Sequence, residues 1–286
     1  MPVEGILAFR VGLVSRLDES QALDVARNLA RHLRKRGVSV VVESELAKAG
    51  RLGGGTYLKE LRADLVVTVG GDGTVLKTAM TLPEQETPIL AVNMGRRGYL
   101  TEVAPGKAIK AVELFRKGNY RIEKRAKLAV DMNGTHIVDA LNEVVVSSGS
   151  PAKMLDLRLG VGTEEFLRFR GDGVIVSTAT GSTAYALSAG GPIVDSSVDA
   201  FVVTFICPLD LLRPTVLSMD HTLSIETASP KLKVLIVADG RFQRELVRDV
   251  KLRIRKSEHY TSFVRLGRRP PVGSLTRLHG MERANF

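Results

Sequence analysis

The 286-residue sequence contains one cysteine, no tryptophan and few other aromatic residues, five tyrosines and nine phenylalanines. A single thiol, Cys207, cannot form an internal disulfide, so the fold must rest on a buried core, and this sparing use suits a reducing cytoplasm. Cys207 ends the run Phe201-Val202-Val203-Thr204-Phe205-Ile206-Cys207 and reads as a buried strand position rather than a nucleophile. Scarce aromatics leave few platforms on which unpaired bases could stack, which counts against nucleic acid as a partner. No apolar run approaches the roughly 18 residues of a membrane span. Residues 1–9 lack the basic region and long apolar stretch of a secretion signal. The five histidines, at positions 32, 136, 221, 259 and 279, show no metal-ligand spacing, and no metal-binding residue is assigned. A Gly-x-x-x-x-Gly-Lys-Ser/Thr loop is absent, as is any serine or cysteine triad signature, which excludes an ordinary P-loop enzyme and the common hydrolases.

What is present is a soluble-protein composition with an excess of positive charge. Hydrophobic residues make up 44% and charged residues 25%, enough to bury a core, and the length suits two domains. The net charge of +10 favours anionic partners. The basic residues are spread along the chain instead of forming one run, which points to small phosphorylated ligands rather than to DNA, RNA or a membrane. An ion-pair-rich surface of the kind found in heat-adapted proteins would give much of the same composition.

The expected fold is α/β plus all-β. Residues 1–119 alternate strands and helices: a strand over 3–14 ending near Gly12, a helix over 18–36, strands at 38–42, 65–70 and 88–92, and a helix over 105–117. Such alternation predicts a Rossmann-like parallel sheet. Residues 120–256 read as short strands, with Asn133-Gly134 as a type I′ hairpin turn, and predict an antiparallel β domain whose last strand covers 250–255. Residues 257–286 read as a basic tail that docks back on the first domain.

The chain is organised around Leu65-Val66-Val67-Thr68-Val69-Gly70-Gly71-Asp72-Gly73-Thr74. A strand, a glycine turn and a helix start let backbone N–H groups approach a ligand, and a helix N-terminus favours phosphate. Asp72 repels phosphate unless it binds a bridging metal or takes a proton from an attacking hydroxyl. The alternative is that it merely caps its helix. A second glycine–aspartate turn opens the run from Gly171-Asp172-Gly173 to Gly190-Gly191-Pro192. There Thr180, Ser182, Thr183, Tyr185 and Ser188 could hydrogen-bond a ligand or cap a short helix. Two such turns, one per domain, suggest a ligand held between them. Asn142-Glu143, at a strand entrance, could read an amide edge and ribose hydroxyls.

Taken together, Gly70-Gly71-Asp72-Gly73-Thr74, Asn142-Glu143 and the run from Gly171 to Pro192 resemble the NAD kinase family, with weaker agreement at Leu212-Arg213-Pro214 and Asp239-Gly240. The resemblance implies transfer of a γ-phosphoryl group from ATP or polyphosphate, with Mg²⁺ or another divalent cation, to the adenosine-ribose 2′-hydroxyl of NAD. It implies that Asp72 is the general base and that Gly73 and Thr74 lie against substrate. Asn142 and Glu143 would hold NAD, and Asp172 would contact its nicotinamide–ribose half. Thr183, Ala184, Tyr185 and Ser188 would line the pocket, with Thr180 at its edge. Lys77, Lys153 and Arg170 would supply basic contacts and Tyr99 would cover the adenine. The family also implies a cytoplasmic homo-oligomer, dimer or tetramer. Two stretches depart from it: Gly95-Arg96-Arg97-Gly98-Tyr99 stands where Gly-His-Leu-Gly-Phe is frequent, and Arg241 where a glutamine is frequent. Two other readings remain at this point, a non-catalytic dinucleotide sensor and a diacylglycerol-type lipid kinase. The sensor would bind without turnover, and the lipid kinase would need a membrane-binding face.

Overall fold

A computed structural model describes residues 9–95, 98–229, 231–247 and 249–267. In the first third, buried β-branched strands alternate with helices that are apolar on one face. Strands β1 (Arg10–Ser15), β2 (Ser39–Val42), β3 (Leu65–Gly70) and β4 (Ile89–Asn93) pair in parallel in the order β2-β1-β3-β4. Gly12 lies within β1 and does not end it. Helix α1 (Ser20–Lys35) buries Ala22, Ala26, Leu29, Ala30 and Leu33, a set spaced three and four apart. Its last turn carries Arg34 and Lys35, which complement the negative end of the helix dipole. Helices α2 (Ser44–Gly50), α3 (Asp72–Thr81) and α4 (Ala108–Arg116) complete the helical layers. The two faces of the sheet bury separate clusters, one against α1 and α4, the other against α3.

The remaining strands are β5 (Arg121–Met132), β6 (Thr135–Ala140), β7 (Glu143–Ser148), β8 (Leu155–Val161), β9 (Glu164–Gly171) and β10 (Gly173–Thr178). After the short helix α5 (Tyr185–Ser188) come β11 (Ala200–Ile206), β12 (Thr215–Ser218), β13 (Leu223–Thr227), β14 (Val234–Ala238), β15 (Phe242–Leu246) and β16 (Lys251–Arg265). The β5–β6 hairpin turns at Asn133 and Gly134, with φ of 51° and 81°, both in the left-handed region that a type I′ turn requires. One six-stranded antiparallel sheet has the order β12-β11-β10-β7-β14-β15.

Three sequence expectations need correction. The last antiparallel strand does not end at 255. It runs on to Arg265, and its irregular register between Lys256 and Tyr260 hides the alternation. Through it the parallel sheet continues into antiparallel strands: β5 lies along one side of β16, while β13 pairs with its first half and β4 meets its second at Phe263–Ile89. The short strands β12 and β15 were not anticipated. Cys207 is not a buried strand residue; it is exposed, one position past β11, with φ of 44°. Residues 268–286, the rest of the expected tail, lie outside the described residues.

Candidate active site

Strand β3 ends at Gly70 because the chain must turn sharply into α3. A side chain there would put its first carbon 2.3 Å from Thr74 Oγ1. Helix α3 starts at Asp72 and is preceded by Gly71, with no side-chain bond capping it. The Asp72 carboxylate reaches across the sheet instead. Oδ2 accepts the Tyr99 N–H at 2.9 Å and Oδ1 the Leu100 N–H at 3.1 Å, so the capping alternative does not describe it. It therefore sits beyond the carboxyl ends of β3 and β4, where open α/β sheets bind ligands. Gly73 is exposed and its carbonyl accepts a hydrogen bond from the Arg241 guanidinium, which comes from the turn between β14 and β15. Tyr99, whose N–H holds the carboxylate, is 47% exposed.

The Asn142-Glu143 pair is held by a third carboxylate. Asp239 Oδ2 accepts the Leu141 N–H at 2.7 Å, and Oδ1 accepts those of Asn142 at 2.8 Å and Glu143 at 3.0 Å. Asp239 itself adopts φ of 49° at the turn. Its carboxyl is pushed up by burial, against the pull of these three N–H groups. The run 171–192 is fastened to the same turn. Thr178 Oγ1 donates to the Leu141 carbonyl at 2.7 Å and accepts the Gly181 N–H at 3.0 Å. Gly181 must be glycine, since a side chain would put its first carbon 2.1 Å from the Asn142 carbonyl oxygen.

Glu143 is buried, and its Oε2 has no hydrogen-bond partner in the protein. Burial first, and then the neighbouring Asp239, push its carboxyl up to about 7, partly opposed by the Tyr185 backbone N–H. A buried acceptor without a partner is expensive to leave unmade. A ligand hydroxyl or amide would satisfy it.

The other expected residues divide into two groups. Thr180 is buried and accepts from Arg125 Nη1 at 3.4 Å, Thr183 Oγ1 donates to the Thr180 carbonyl at 3.3 Å, and the Ala184 N–H bonds the Gly181 carbonyl at 2.9 Å. Tyr185 and Ser188 are exposed at the two ends of α5. Gly181 abuts the Asn142 backbone and the Tyr185 N–H meets Glu143, which brings this run to the Asn142-Glu143 pair. The Asp72-Gly73 turn meets this side at the Arg241–Gly73 contact. Thr74 is half-buried in the turn, its N–H on the Gly71 carbonyl at 3.0 Å. Lys77 turns toward α2 and pairs with Glu45 at 2.8 Å and Glu43 at 3.8 Å. Lys153 and Arg170 are exposed, on the turn after β7 and at the end of β9. Asp172 is half-exposed, with its backbone bonded to Ile206 and Ser148. Arg96 and Arg97 lie outside the described residues.

Sequence reasoning did not single out Glu123, Arg125, Lys127 or Arg265. Lys127 is fully buried and donates to the Ala79 carbonyl at 3.1 Å and to Gln85 Oε1 at 2.9 Å, tying β5 to α3. A signal existed: Arg121, Glu123, Arg125 and Lys127 recur with the period of a strand, so all four share one face of β5.

Comparison with known proteins agrees with this geometry. Residues 11–120 match the ATP-NAD kinase N-terminal domain and residues 141–266 the ATP-NAD kinase C-terminal domain. The chain is 39% identical over 264 residues to an NAD kinase of Methanothermobacter thermautotrophicus, covering 91% of this chain and 92% of that one. It is 40% identical over 261 residues to one of Methanoculleus marisnigri, covering 91% and 95%. The chain belongs to the NAD kinase family.

Solved NAD kinase structures bear out the two-part fold. That of an NAD kinase from Archaeoglobus fulgidus in complex with ATP superposes with a TM-score of 0.72 at 28% identity, covering 96% of this chain and 97% of that one. Yeast NADH kinase complexed with NADH, at 23% identity, shares the fold with a TM-score of 0.88 over 97% of this chain and 89% of the other.

Proposed function

We propose that this NAD kinase transfers the γ-phosphoryl group of ATP, or the terminal phosphoryl group of polyphosphate, to the adenosine-ribose 2′-hydroxyl of NAD, with Asp72 as general base. The observation that carries this reading is the Asp72 carboxylate, held by two backbone N–H groups at the start of α3 and facing away from its own helix. A secondary hydroxyl is a weak nucleophile at neutral pH and needs a carboxylate within about 2.6–3.2 Å to take its proton. The freed oxygen attacks the terminal phosphorus, the bond to the bridging oxygen breaks, and ADP or the shortened polyphosphate leaves. Positioning and charge neutralisation supply most of the remaining rate.

In this reading Asn142 and Glu143 hold NAD, with the unpartnered Glu143 Oε2 accepting from a ribose hydroxyl. Thr180, Thr183, Ala184, Tyr185 and Ser188 line the pocket, Asp172 contacts the far ribose, and Tyr99 covers the adenine. Gly73 and Thr74 present backbone to the phosphates, with Lys77, Lys153 and Arg170 as basic contacts. Among the described residues no group of three or more His, Cys, Asp or Glu side chains is placed to hold a metal ion. A divalent cation would be held mainly by the donor phosphates, with the Asp72 carboxylate as this chain's acidic group at the turn, and would supply neutralisation of the phosphate charge. The reading extends to a cytoplasmic homo-oligomer, supported by the family resemblance. No described helix is long and apolar enough to cross a membrane.

The test is NADP formation from NAD, ATP and Mg²⁺ by the wild type and by Asp72→Asn. The variant is expected to lose on the order of 10²–10⁴-fold in kcat while binding NAD within a few-fold of wild type by calorimetry. Near-full turnover in Asp72→Asn would overturn the base assignment.

A further inference from the structure

We propose that Arg265 is a positioning residue that, through Glu123 and Arg125, fixes the Asp72 carboxylate and the Thr180 turn relative to one another. The proposal rests on the reading of Asp72 as the base. Arg265 closes β16, 7% exposed, and its guanidinium spans two elements. Nη1 donates to the Leu100 carbonyl at 3.2 Å and lies 3.4 Å from Glu102 Oε2, while Nε donates to Glu123 Oε2 at 2.6 Å. Leu100 is the residue whose N–H holds Asp72 Oδ1. Its carbonyl is thus held by a buried cation while its N–H is aimed at the base.

From Glu123 the connection continues to the other side of the site. Glu123 Oε1 pairs with Arg125 Nη2 at 2.7 Å, and Arg125 Nη1 reaches Thr180 Oγ1 at 3.4 Å. Burial alone would raise the Glu123 carboxyl, but Arg125, Arg265 and Arg121 outweigh it and hold the group below its ordinary value, so it stays an anion. The resulting path runs Asp72, Leu100, Arg265, Glu123, Arg125, Thr180, and every link but the residue Leu100 itself is a direct polar contact.

A buried ion pair adds little net stability over apolar packing of the same shape. What it adds here is direction. Arginine's planar fork bridges a carboxylate and a carbonyl at once, which the single ammonium of lysine cannot do in the same geometry. Two halves of a phosphoryl-transfer site come from different sheets, and a displacement of about 1 Å between base and hydroxyl costs on the order of 10²-fold in rate. The path sets that distance from outside the pocket.

The deciding variant is Arg265→Lys, with Glu123→Gln as a second that keeps the shape at the centre of the path while removing its charge. Steady-state kinetics and thermal unfolding are measured beside the wild type. For Arg265→Lys the expected result is an unfolding midpoint within a few degrees of wild type, KM for NAD within about twofold, and kcat lower by roughly tenfold or more. Combined, the two substitutions should cost little more than Glu123→Gln alone, because they break one path. Wild-type kcat in folded Arg265→Lys, kcat and KM losses that follow the unfolding midpoint, or losses that multiply in the double variant would each overturn the proposal. An inactive wild type would bring down the NAD kinase reading and this path with it, whereas an active wild type beside an unaffected variant overturns the path alone.

Discussion

At the scale of single residues, the pocket contains a carboxyl group that changes its proton near neutrality. Glu143 is raised from 4.5 to about 7 by burial and by Asp239. The folded protein therefore binds a proton that the unfolded chain releases, so this group's stabilising contribution is complete below about pH 4.5 and is lost as pH rises through about 7. Glu143→Gln stays neutral throughout and removes that dependence. Without nucleotide, its unfolding midpoint is expected to exceed that of wild type by a few degrees at pH 8 and to show no such gain at pH 4, as read by circular dichroism melts. Ionised Glu143 is also the better acceptor for a ribose hydroxyl, so the pocket gives up stability where binding needs charge. Asp72 was legible in the sequence because a carboxylate enclosed by three glycines after an apolar strand is a local pattern. The identity of Glu143 was legible too, but not its proton affinity, which depends first on burial in the folded protein and then on Asp239, nearly a hundred residues away.

At the scale of elements, the β14–β15 turn does more for the site than its length suggests. Asp239 satisfies three successive N–H groups of the chain entering β7, and Arg241 of the same turn reaches Gly73 beside the base. Asp239→Ala would leave those three donors buried without partners, at a cost of about 3 kcal/mol. It is expected to raise KM for NAD well above any change in KM for ATP, a comparison that initial-rate kinetics makes directly, alongside a lower unfolding midpoint. Most elements could be read from the sequence because their apolar periods are regular. Strand β5 could be read as a strand, yet one face carries Arg121, Glu123, Arg125 and Lys127, the inverse of the usual pattern. Arg121 and Arg125 pair with Glu123 along the strand, while Glu123, Arg125 and Lys127 also reach Arg265, Thr180 and the Ala79 carbonyl on other elements. The edge strands β12 and β15 escaped notice because one is four residues long after a proline and the other, Phe-Gln-Arg-Glu-Leu, is mostly polar.

For the whole molecule, the fold class followed from alternation in the first third and hairpin signals in the rest. The junction between the two did not, since it is a pairing of Phe263 with Ile89 that no local pattern announces. Within the ten-stranded sheet, β4 has β3 on one side; on the other it meets β16 at Ile89 and the Val103 segment at Val92. A fragment covering residues 9–250 would leave the Ile89 end of β4 and the β16-facing edge of β5 unpaired, the kind of open edge that recruits other strands. Limited proteolysis of the fragment is expected to cleave within residues 65–93, and a peptide of residues 251–267 added in trans should restore protection; a fragment already resistant would show that the parallel sheet stands alone. The same feature has a consequence in time. During synthesis at about 5–20 residues per second, the glycine turn at Asp72 emerges early, yet the strand that completes its sheet starts about 180 residues later, at Lys251, on the order of ten seconds or more. For that interval the nascent chain carries an unfinished sheet, and this protein's exposure to misassembly is set by the ribosome's pace rather than by the finished structure.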